Sequence, residues 1–311
     1  MTHTVFIDGA AGTTGLEIAD RLAGRSDFTL VTLDDARRKD AEARRDALNA
    51  ADFAILCLPD DAAREAVALI DPASPVRVID ASSAHRVADG WTYGFPEIVG
   101  RAAVSEATRV SNPGCYATGF VALIAPLVRA GLLPADWPYA CNAVSGYSGG
   151  GKGLIERFES DPDIAWRGYA LGLGHKHVPE MQRHGGLALA PLFTPAVVPA
   201  YRGMVVEVPL HLAAMTGASS PDAMRACWAE FYADSAVMRM GAVAEGEVLL
   251  RKSAPPSDAI ELHLFTSPDG GQLRLVAVLD NLGKGASGAA VQSLNLMAGL
   301  DETAGLRLPT I

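Results

Sequence analysis

The first third of the chain alternates short apolar runs with amphipathic segments, and this alternation limits the fold more than any other feature. The apolar runs at residues 4–7, 28–33 and 52–59 have strand length, and the last ("DFAILCLP") is continuously apolar, as in a parallel strand buried on both faces. Helical spacing occurs at residues 16–23 and 60–70. The runs "PVRVID" and "TRVSN" predict two more strands. Strands that alternate with helices predict right-handed βαβ units and a Rossmann-type, doubly wound parallel sheet, an α/β fold.

The predicted secondary structure changes after residue 131. Strand-like runs follow one another there, with "PDAMRACWAEFYAD" as the one clear helix; they are "PYACNAVSGYSGGG", "LAPLFTPAVVPAY", "GMVVEVPLHL", "GEVLL", "AIELHLF" and "QLRLVAVLD". This pattern predicts an α+β domain with a largely antiparallel sheet. Helical spacing returns in "NLGKGASGAAVQSLNLMAGL". A chain of 311 residues exceeds the usual size of a single core, so we expect two domains, with a boundary between residues 115 and 131.

Composition argues against several classes of function. A net charge of −10 disfavours a nucleic-acid-binding surface, which needs a basic face. No apolar run approaches the ~20 residues of a membrane helix, and the N-terminus lacks the basic and apolar regions of a signal peptide. The four cysteines have no C-x-x-C spacing, so neither a disulfide framework nor a zinc site is expected. A reducing, cytoplasmic setting fits these features best.

The stretch "GAAGTTG" follows the first strand directly and opens the first helix. Its glycines, Gly9, Gly12 and Gly15, would let the backbone approach a pyrophosphate, and the helix N-terminus would supply N–H groups and partial positive charge. By itself, a G-x-x-G-x-x-G pattern is weak evidence for dinucleotide binding. At the first βα turn it favours dinucleotide binding over a plain tight turn.

Charged residues after the second strand leave the choice of dinucleotide open. Asp34 or Asp35 could bind a ribose 2′-hydroxyl and favour NAD. Arg37, Arg38 and Lys39 could instead bind a 2′-phosphate. A solvated charged loop is the simpler alternative for each of them.

The stretch "SNPGCYATGF" places Cys115 at the predicted start of a long apolar helix. Asn112 is a favoured N-cap residue and Pro113 a favoured first residue, which makes Gly114 the second residue and Cys115 the third. A thiol in the first turn has a lowered pKa, and nearby backbone N–H groups can hold an oxyanion. The alternative is a small packed residue. That alternative is expected for the other three cysteines, which lie in apolar runs or a helix: Cys57, Cys141 and Cys227.

The stretch "GLGHKHVPE" offers two histidines as partners for this cysteine. Alternation by two would put His175 and His177 on one face of an extended segment. Either could act as a general acid/base. The two histidines could also bind a metal, but the sequence shows no third ligand at a recognisable spacing. The simpler alternative to both roles is that they are scattered surface histidines.

Two stretches rich in Gly, Ser or Ala could contact a ligand. "VSGYSGGGKG" at residues 144–153 is too rich in glycine for a helix or a strand, so it would wrap a ligand or form a flexible interdomain turn. "DASSAHR" at residues 80–86 follows the fourth strand, at the carboxyl edge where doubly wound sheets bind ligands. Arg86 could hold a phosphate or carboxylate there through a bidentate fork.

Several motifs, read in order along nearly the whole chain, agree with one family. They are "GAAGTTG", "DASSAHR", "YGFPEI", "SNPGCYATG", "VSGYSGGGKG", "GHKHVPE" and "DNLGKGASGAAVQSLNLM". The chain resembles N-acetyl-gamma-glutamyl-phosphate reductase, a relative of aspartate-semialdehyde dehydrogenase. Its short length and its glycine turn are similar to the shorter form of that family.

The resemblance implies an enzyme that uses NADPH to reduce N-acetyl-L-glutamyl 5-phosphate to N-acetyl-L-glutamate 5-semialdehyde and phosphate, in arginine biosynthesis. It implies a thioester on Cys115, His175 as acid/base and Asn112 in an oxyanion hole. The residues implied for NADP(H) binding are Gly9, Gly12, Thr13, Thr14, Gly15, Ser82, Ser148, Gly149, Asn281 and Gly283. The residues implied for substrate binding are Arg86, Lys152, His177 and Glu180. No metal, membrane or nucleic-acid partner is expected.

The same resemblance implies a division of the chain and an oligomer. Residues 1–114 and 282–311 would form the NADP-binding domain, and residues 115–281 the catalytic and oligomerisation domain of a homodimer or homotetramer. Two alternatives stay open: the same chemistry on aspartyl phosphate or an aminoadipyl phosphate derivative, and a non-catalytic nucleotide-sensing protein. An intact Cys115 with a histidine partner argues against the second.

Overall fold

The computed structural model describes residues 2–241 and 246–309, and the chain divides into two compact units. The first unit runs to Pro113 and includes Ala286–Leu306. The second unit comprises Gly114–Gly285 and continues from Arg307. Residues 282–285 and 307–309 thus fall in the second compact unit. Their assignment to the NADP-binding domain stays a prediction.

Strands and helices alternate in the first unit, and the described part of the second unit contains seven strands and four α-helices. The strands are β1 (His3–Asp8), β2 (Phe28–Val31), β3 (Phe53–Leu56), β4 (Arg77–Asp80), β5 (Thr92–Tyr93), β6 (Arg109–Ser111), β7 (Ala140–Gly146), β8 (Arg167–Gly168), β9 (Leu192–Val198), β10 (Met204–Leu210), β11 (Met238–Met240), β12 (Ile260–Thr266) and β13 (Leu273–Leu279). The helices are α1 (Thr13–Leu22), α2 (Ala41–Ala50), α3 (Asp60–Ala68), α4 (Pro96–Val99), α5 (Arg101–Glu106), α6 (Cys115–Arg129), α7 (Lys152–Ser160), α8 (Val178–Gly185), α9 (Pro221–Phe231) and α10 (Gly288–Met297). Short 3₁₀ turns occur at Tyr147–Gly150 and Leu212–Ala214, and a π-helical turn at Gly283–Ser287. Within the described residues, no helix combines the length and apolar character needed to span a membrane.

The sheet of the first unit is parallel throughout its described strands. Their order is β2-β1-β3-β4-β6-β5, and each neighbouring pair runs in the same direction. This confirms the predicted Rossmann-type sheet. The edge strand β5 escaped sequence analysis because a two-residue run carries no usable periodicity.

Alternate residues of the central strands pack on opposite faces of this sheet. Val5 and Ile7 of β1 pack with α1 and α10 on one face. Phe6, between them, packs with α2 and α3 on the other. Because side chains alternate along a strand, a strand covered on both faces must be apolar at every position. The continuous run in β3 has the same cause.

The sheet of the second unit is mixed, with the order β11-β12-β13-β10-β7-β9-β8 among the described strands. The pairs β7–β9 and β11–β12 are parallel and the remaining pairs antiparallel. The predicted largely antiparallel α+β domain is therefore confirmed. One expected strand is wrong: the run "GEVLL" has irregular structure at residues 246–250.

Helix α6 is buried along most of its length inside the second unit, against β10, β13, α8 and α9. Pro126 lies within it and has no N–H, so the carbonyl of Ala122, one turn earlier, lacks its usual helical donor. Tyr232, which follows α9, donates its hydroxyl to that carbonyl at 2.8 Å. The apolar spacing that predicted this helix therefore reflects burial on all sides, and the packing fixes the element that carries Cys115.

Candidate active site

In the first unit, the glycine turn directly follows β1. Gly9 has a φ of +88°, and a Cβ there would collide with the carbonyl oxygen after β3. Gly12 is the N-cap residue of α1, and no described side chain caps it. Thr13, Thr14 and Gly15 form the first turn. The first N–H groups of α1 have no side-chain cap, and the small residues around them leave room for a pyrophosphate. These residues therefore fit a dinucleotide.

A cavity of about 460 Å³ adjoins this turn within the first unit. Its described lining includes Gly9, Arg38, Lys39 and Asp35, but not Asp34. The carboxylate of Asp35 is paired with Arg38, whose Nε lies 2.7 Å from Oδ1. The aspartate that could bind a ribose hydroxyl is therefore already engaged by a cation.

Arg44 also lines this cavity, but it is buried and faces Asp8 at the end of β1. Its Nη2 lies 2.9 Å from Oδ2 of Asp8. Burial raises the pKa of Asp8, and the guanidinium opposes that rise. Arg44 thus neutralises a buried carboxylate and Arg38 faces an exposed one, so Lys39 is the lining cation without a carboxylate partner among the described residues.

A buried acid–histidine pair follows β4 in the first unit. Asp80 accepts hydrogen bonds from the backbone N–H and the hydroxyl of Ser82 at 2.9 and 2.7 Å. Its Oδ2 lies 2.6 Å from Nδ1 of His85, whose ring stacks on Trp91 at 4.1 Å between centroids. Ser82 therefore shapes the loop. Sequence reasoning missed His85; its one signal is an Asp at a strand end with a His in the next turn.

Arg86 and Asn112 bind backbone atoms of the first unit. Arg86 is buried and donates from Nε to the Asn112 carbonyl at 3.0 Å and from Nη2 to the Ala81 carbonyl at 3.3 Å. The Asn112 amide donates to the Ala286 carbonyl at 2.9 Å. Both side chains thus use N–H groups within the protein, and their contacts with a phosphate or an oxyanion stay predictions.

In the second unit, Cys115 is the first residue of α6, not the third as predicted. The predicted cap is also wrong, because the N-cap residue is Gly114 rather than Asn112. The thiol is partly exposed, whereas the residues that follow in α6 are buried. The sequence placed the thiol two positions too far into the helix, but it still lies where N–H groups and partial positive charge favour a thiolate.

Two contacts fix the backbone around this thiol. The Gly114 N–H donates to Oε1 of Glu180 at 2.7 Å, and that carboxylate is only 1% exposed. On the other side, a Cβ on Gly285 would lie 2.9 Å from Cβ of Cys115 and 3.0 Å from the Asp280 carbonyl oxygen. Glu180 therefore holds the start of α6, and its predicted contact with substrate stays a prediction.

His175 and His177 lie in a turn before α8, not in the extended segment that the sequence predicted. His177 is the N-cap residue of α8, with φ −84° and ψ −12°. Pro179 in the first turn favours a helix start at this point. The two rings are 4.7 Å apart between centroids and nearly perpendicular. Both rings also pack on Tyr116, at 6.0 and 5.8 Å.

The glycine-rich stretch of the second unit is more regular than predicted. Strand β7 extends to Gly146, a 3₁₀ turn covers Tyr147–Gly150, and α7 begins at Lys152. Lys152 and Gly149 are exposed. The prediction that this stretch contains neither helix nor strand is therefore wrong, because the backbone pairing of β7 with its neighbours outweighs the local preference of glycine.

Ser148 and Asn281 are hydrogen-bonded to each other inside the second unit. Asn281 donates from Nδ2 to Oγ of Ser148 at 2.9 Å, and its Oδ1 accepts the Gly203 N–H at 2.9 Å. Gly283 packs against the Ser257 carbonyl oxygen. Asn281 thus joins two loops, and its cofactor contact stays a prediction. No three His, Cys, Asp or Glu side chains group into a metal site in residues 2–241 and 246–309.

Comparison with known proteins gives close relatives over nearly the whole chain. N-acetyl-gamma-glutamyl-phosphate reductase 2 of Pseudomonas putida is 50% identical over 306 residues, which is 96% of this chain and 97% of the relative. The N-acetyl-gamma-glutamyl-phosphate reductase of Burkholderia orbicola is 51% identical over 95% of this chain and 97% of its own length. That of Brucella ovis is 48% identical, covering 96% of this chain and all of the relative.

Solved structures share the fold at low identity. Aspartate semialdehyde dehydrogenase II of Vibrio cholerae is 17% identical with a TM-score of 0.71, covering 96% and 99% of the two chains. Aspartate semialdehyde dehydrogenase with NADP from Candida albicans is 14% identical with a TM-score of 0.66, covering 98% and 99%. The family models of semialdehyde dehydrogenases match residues 4–107 (NAD binding domain) and 115–281 (dimerisation domain). The chain therefore belongs to the N-acetyl-gamma-glutamyl-phosphate reductases, within the semialdehyde dehydrogenase family.

Proposed function

We propose that this protein reduces N-acetyl-L-glutamyl 5-phosphate to N-acetyl-L-glutamate 5-semialdehyde, with release of phosphate, in arginine biosynthesis. The observation that carries the proposal is Cys115 at the first position of a buried helix, in a chain 48–51% identical to reductases of that name. A protein that only bound nucleotide would need no thiol at a helix start.

Cys115 is the proposed nucleophile. Its thiolate sulfur bonds to the acyl carbon, the bond from that carbon to the phosphate oxygen breaks, and phosphate leaves. Backbone N–H groups in the first turn of α6 are the candidates for stabilising the oxyanion. Bound NADPH supplies the hydride that brings the thioester to the oxidation level of an aldehyde. Departure of the Cys115 thiolate from the thiohemiacetal then frees the product.

One member of the His175–His177 pair is proposed to exchange protons in these steps. Both lie in the same unit as Cys115 and pack on Tyr116, the next residue of α6. The thiol must lose a proton before attack, and the thiohemiacetal oxygen must lose one as the aldehyde forms. A histidine titrates near neutral pH and suits both transfers.

NADP(H) rather than NAD(H) is the proposed cofactor. Arg38 and Lys39 line the cavity beside the glycine turn, and Asp35 is paired with Arg38. We expect Lys39→Ala to raise the KM for NADPH about tenfold, roughly 1.4 kcal/mol, with little change for NADH. Arg37→Ala is the matched control, since Arg37 is not among the described residues that line the cavity. An equal loss for both cofactors would contradict the assignment.

A homodimer or homotetramer is proposed, joined through the second unit. That unit matches the dimerisation domain of the family and exposes Trp166 and Leu171 to 62% and 84%. Sedimentation equilibrium at micromolar concentration should give an even multiple of the 32.5 kDa chain mass. A monomer would refute this. A cytoplasmic location stays a prediction.

The reaction is tested in the reverse direction, as NADP⁺ reduction with candidate semialdehydes. We expect activity with N-acetylglutamate semialdehyde, dependence on inorganic phosphate, and loss of activity in Cys115→Ala. Aspartate semialdehyde and an aminoadipate-derived semialdehyde should be inactive. Phosphate-independent turnover, or a normal rate in Cys115→Ala, would refute the mechanism.

A further inference from the structure

Two tyrosines of the second unit meet His175 in different ways. The hydroxyl of Tyr169 lies 3.3 Å from Nε2 of His175. The ring of Tyr116 packs edge-on against the ring of His175, with 6.0 Å between centroids. The hydroxyl of Tyr116 is engaged elsewhere, because it donates to the carbonyl oxygen of Ala196, on β9, at 3.0 Å.

A backbone N–H decides which tautomer of His175 makes this contact. The His177 N–H donates to Nδ1 of His175 at 3.1 Å, so Nδ1 must be an acceptor. Neutral His175 therefore carries its proton on Nε2 and donates it to Tyr169.

We propose that Tyr169 is a positioning residue that holds His175 as the neutral Nε2–H tautomer, so that His175 supports the turn rather than exchanging protons with substrate. The proposal deepens the proposed function and rests on it. It also changes the choice that the sequence favoured, because both ring nitrogens of His175 have partners inside the protein. The proton exchange then falls to His177.

The surroundings of Tyr169 suit a fixed donor and acceptor. Burial raises the pKa of Tyr169 to about 12, so the phenol keeps its proton over the working pH range of the enzyme. Its ring lies under the guanidinium of Arg167 at 4.6 Å. Its backbone N–H faces the Pro195 carbonyl at 3.4 Å. A tyrosine held at both its ring and its backbone can fix the rotation of the histidine that it contacts.

Protonation of His175 would cost one of its two contacts. Accepting a proton at Nδ1 would break the bond from the His177 N–H. The geometry therefore favours a His175 that stays neutral.

The tautomer can be read directly by nuclear magnetic resonance. In the full-length protein labelled with ¹⁵N-histidine, two-bond ¹H–¹⁵N correlations at pH 7.5 should show His175 with a protonated Nε2 and an unprotonated Nδ1. His175→Gln assigns the signals. In Tyr169→Phe, the Nε2 proton should exchange with water at least tenfold faster. A proton on Nδ1, or on both nitrogens, would overturn the proposal whatever the substrate of the enzyme proves to be.

Kinetics separate positioning from proton exchange. A glutamine amide can donate from the place of Nε2 but cannot transfer a proton, so His175→Gln should keep activity within about tenfold, with the pH profile unchanged in shape. His177→Gln should lose about a thousandfold in kcat. Tyr169→Phe should lower kcat about tenfold at constant KM, and Tyr201→Phe, which removes an exposed phenol, should change nothing. A thousandfold loss in His175→Gln would overturn the proposal.

Discussion

Gly285→Ala offers a sharp test of how the thiol of Cys115 is held. Gly285 is the third residue of the π-helical turn and lies against Cys115, the first residue of α6. The added methyl would sit 2.9 Å from Cβ and 3.3 Å from Cα of Cys115, and 3.0 Å from the Asp280 carbonyl oxygen. Because these atoms belong to the backbone or are bonded to it, rotation of a side chain cannot relieve the contact.

The size of the effect follows from these distances. Carbon atoms in a packed interior stay about 3.5–4.0 Å apart, so one of the two segments must move by about 1 Å. Overpacking of this kind costs about 1–3 kcal/mol of unfolding free energy. A displacement of about 1 Å at a reacting group can lower kcat about a hundredfold. We therefore expect a modest loss of stability and a much larger loss of activity.

Three measurements check this expectation: the free energy of unfolding in urea, the rate of Cys115 alkylation by iodoacetamide, and kcat. Gly153→Ala is the control for the first two, because no described atom outside its own helix lies within 4 Å of the added methyl. It should be neutral or stabilise the protein by up to about 1 kcal/mol. If Gly285→Ala matched the wild type in stability, alkylation and kcat, the close approach inferred here would be refuted.

Three further expectations follow from other contacts. Burial raises the pKa of Cys57 to about 12, so at pH 8 iodoacetamide should label Cys115 long before Cys57, and equal rates would contradict a favoured thiolate at the helix start. Glu180→Ala leaves the buried Gly114 N–H without its acceptor and should cost about 1–3 kcal/mol in urea unfolding, whereas Glu180→Gln, which keeps an oxygen, should lose less. The pKa of Asp8 is raised in the folded protein, so protonated Asp8 contributes its full stabilisation below about pH 4. That contribution falls as the pH rises through the raised pKa. Relative to Asp8→Asn, wild-type stability should therefore fall as pH rises across that window; a constant difference would refute the shift.

Much of the first unit could be predicted from local sequence because its signals are local. The strand-length apolar runs and the glycine turn after β1 are each contained in fewer than ten residues, and both appear in the structure where the sequence predicted them. The two-residue strand β5 and the His85–Asp80 pair could not be predicted. The first has too few residues to show a period, and the second depends on how a loop folds back on a strand end.

For the candidate site in the second unit, the sequence named residues but not their geometry. Thiol and imidazole side chains suit nucleophilic and acid/base chemistry, so residue type alone marks Cys115 and the two histidines as candidates. Helix α6 nevertheless begins later than its favoured cap suggests, and the histidines lie in a turn. At the start of α6 a distant residue contributes, because Glu180 accepts the Gly114 N–H.

The amino-acid sequence by itself predicted the parallel sheet, the largely antiparallel second sheet, the family and the candidate cysteine, because periodicity, turn residues and motif spacing are properties of neighbouring residues. Tertiary structure alone decided which groups the nitrogens of His175 contact, that Arg44 neutralises Asp8 beside the cofactor cavity, and why residue 285 must be glycine. Some of these contacts join residues far apart in the chain, such as Cys115 and Gly285. Hydrogen bonds and close packing act over a few ångströms in space, and sequence separation does not measure that distance.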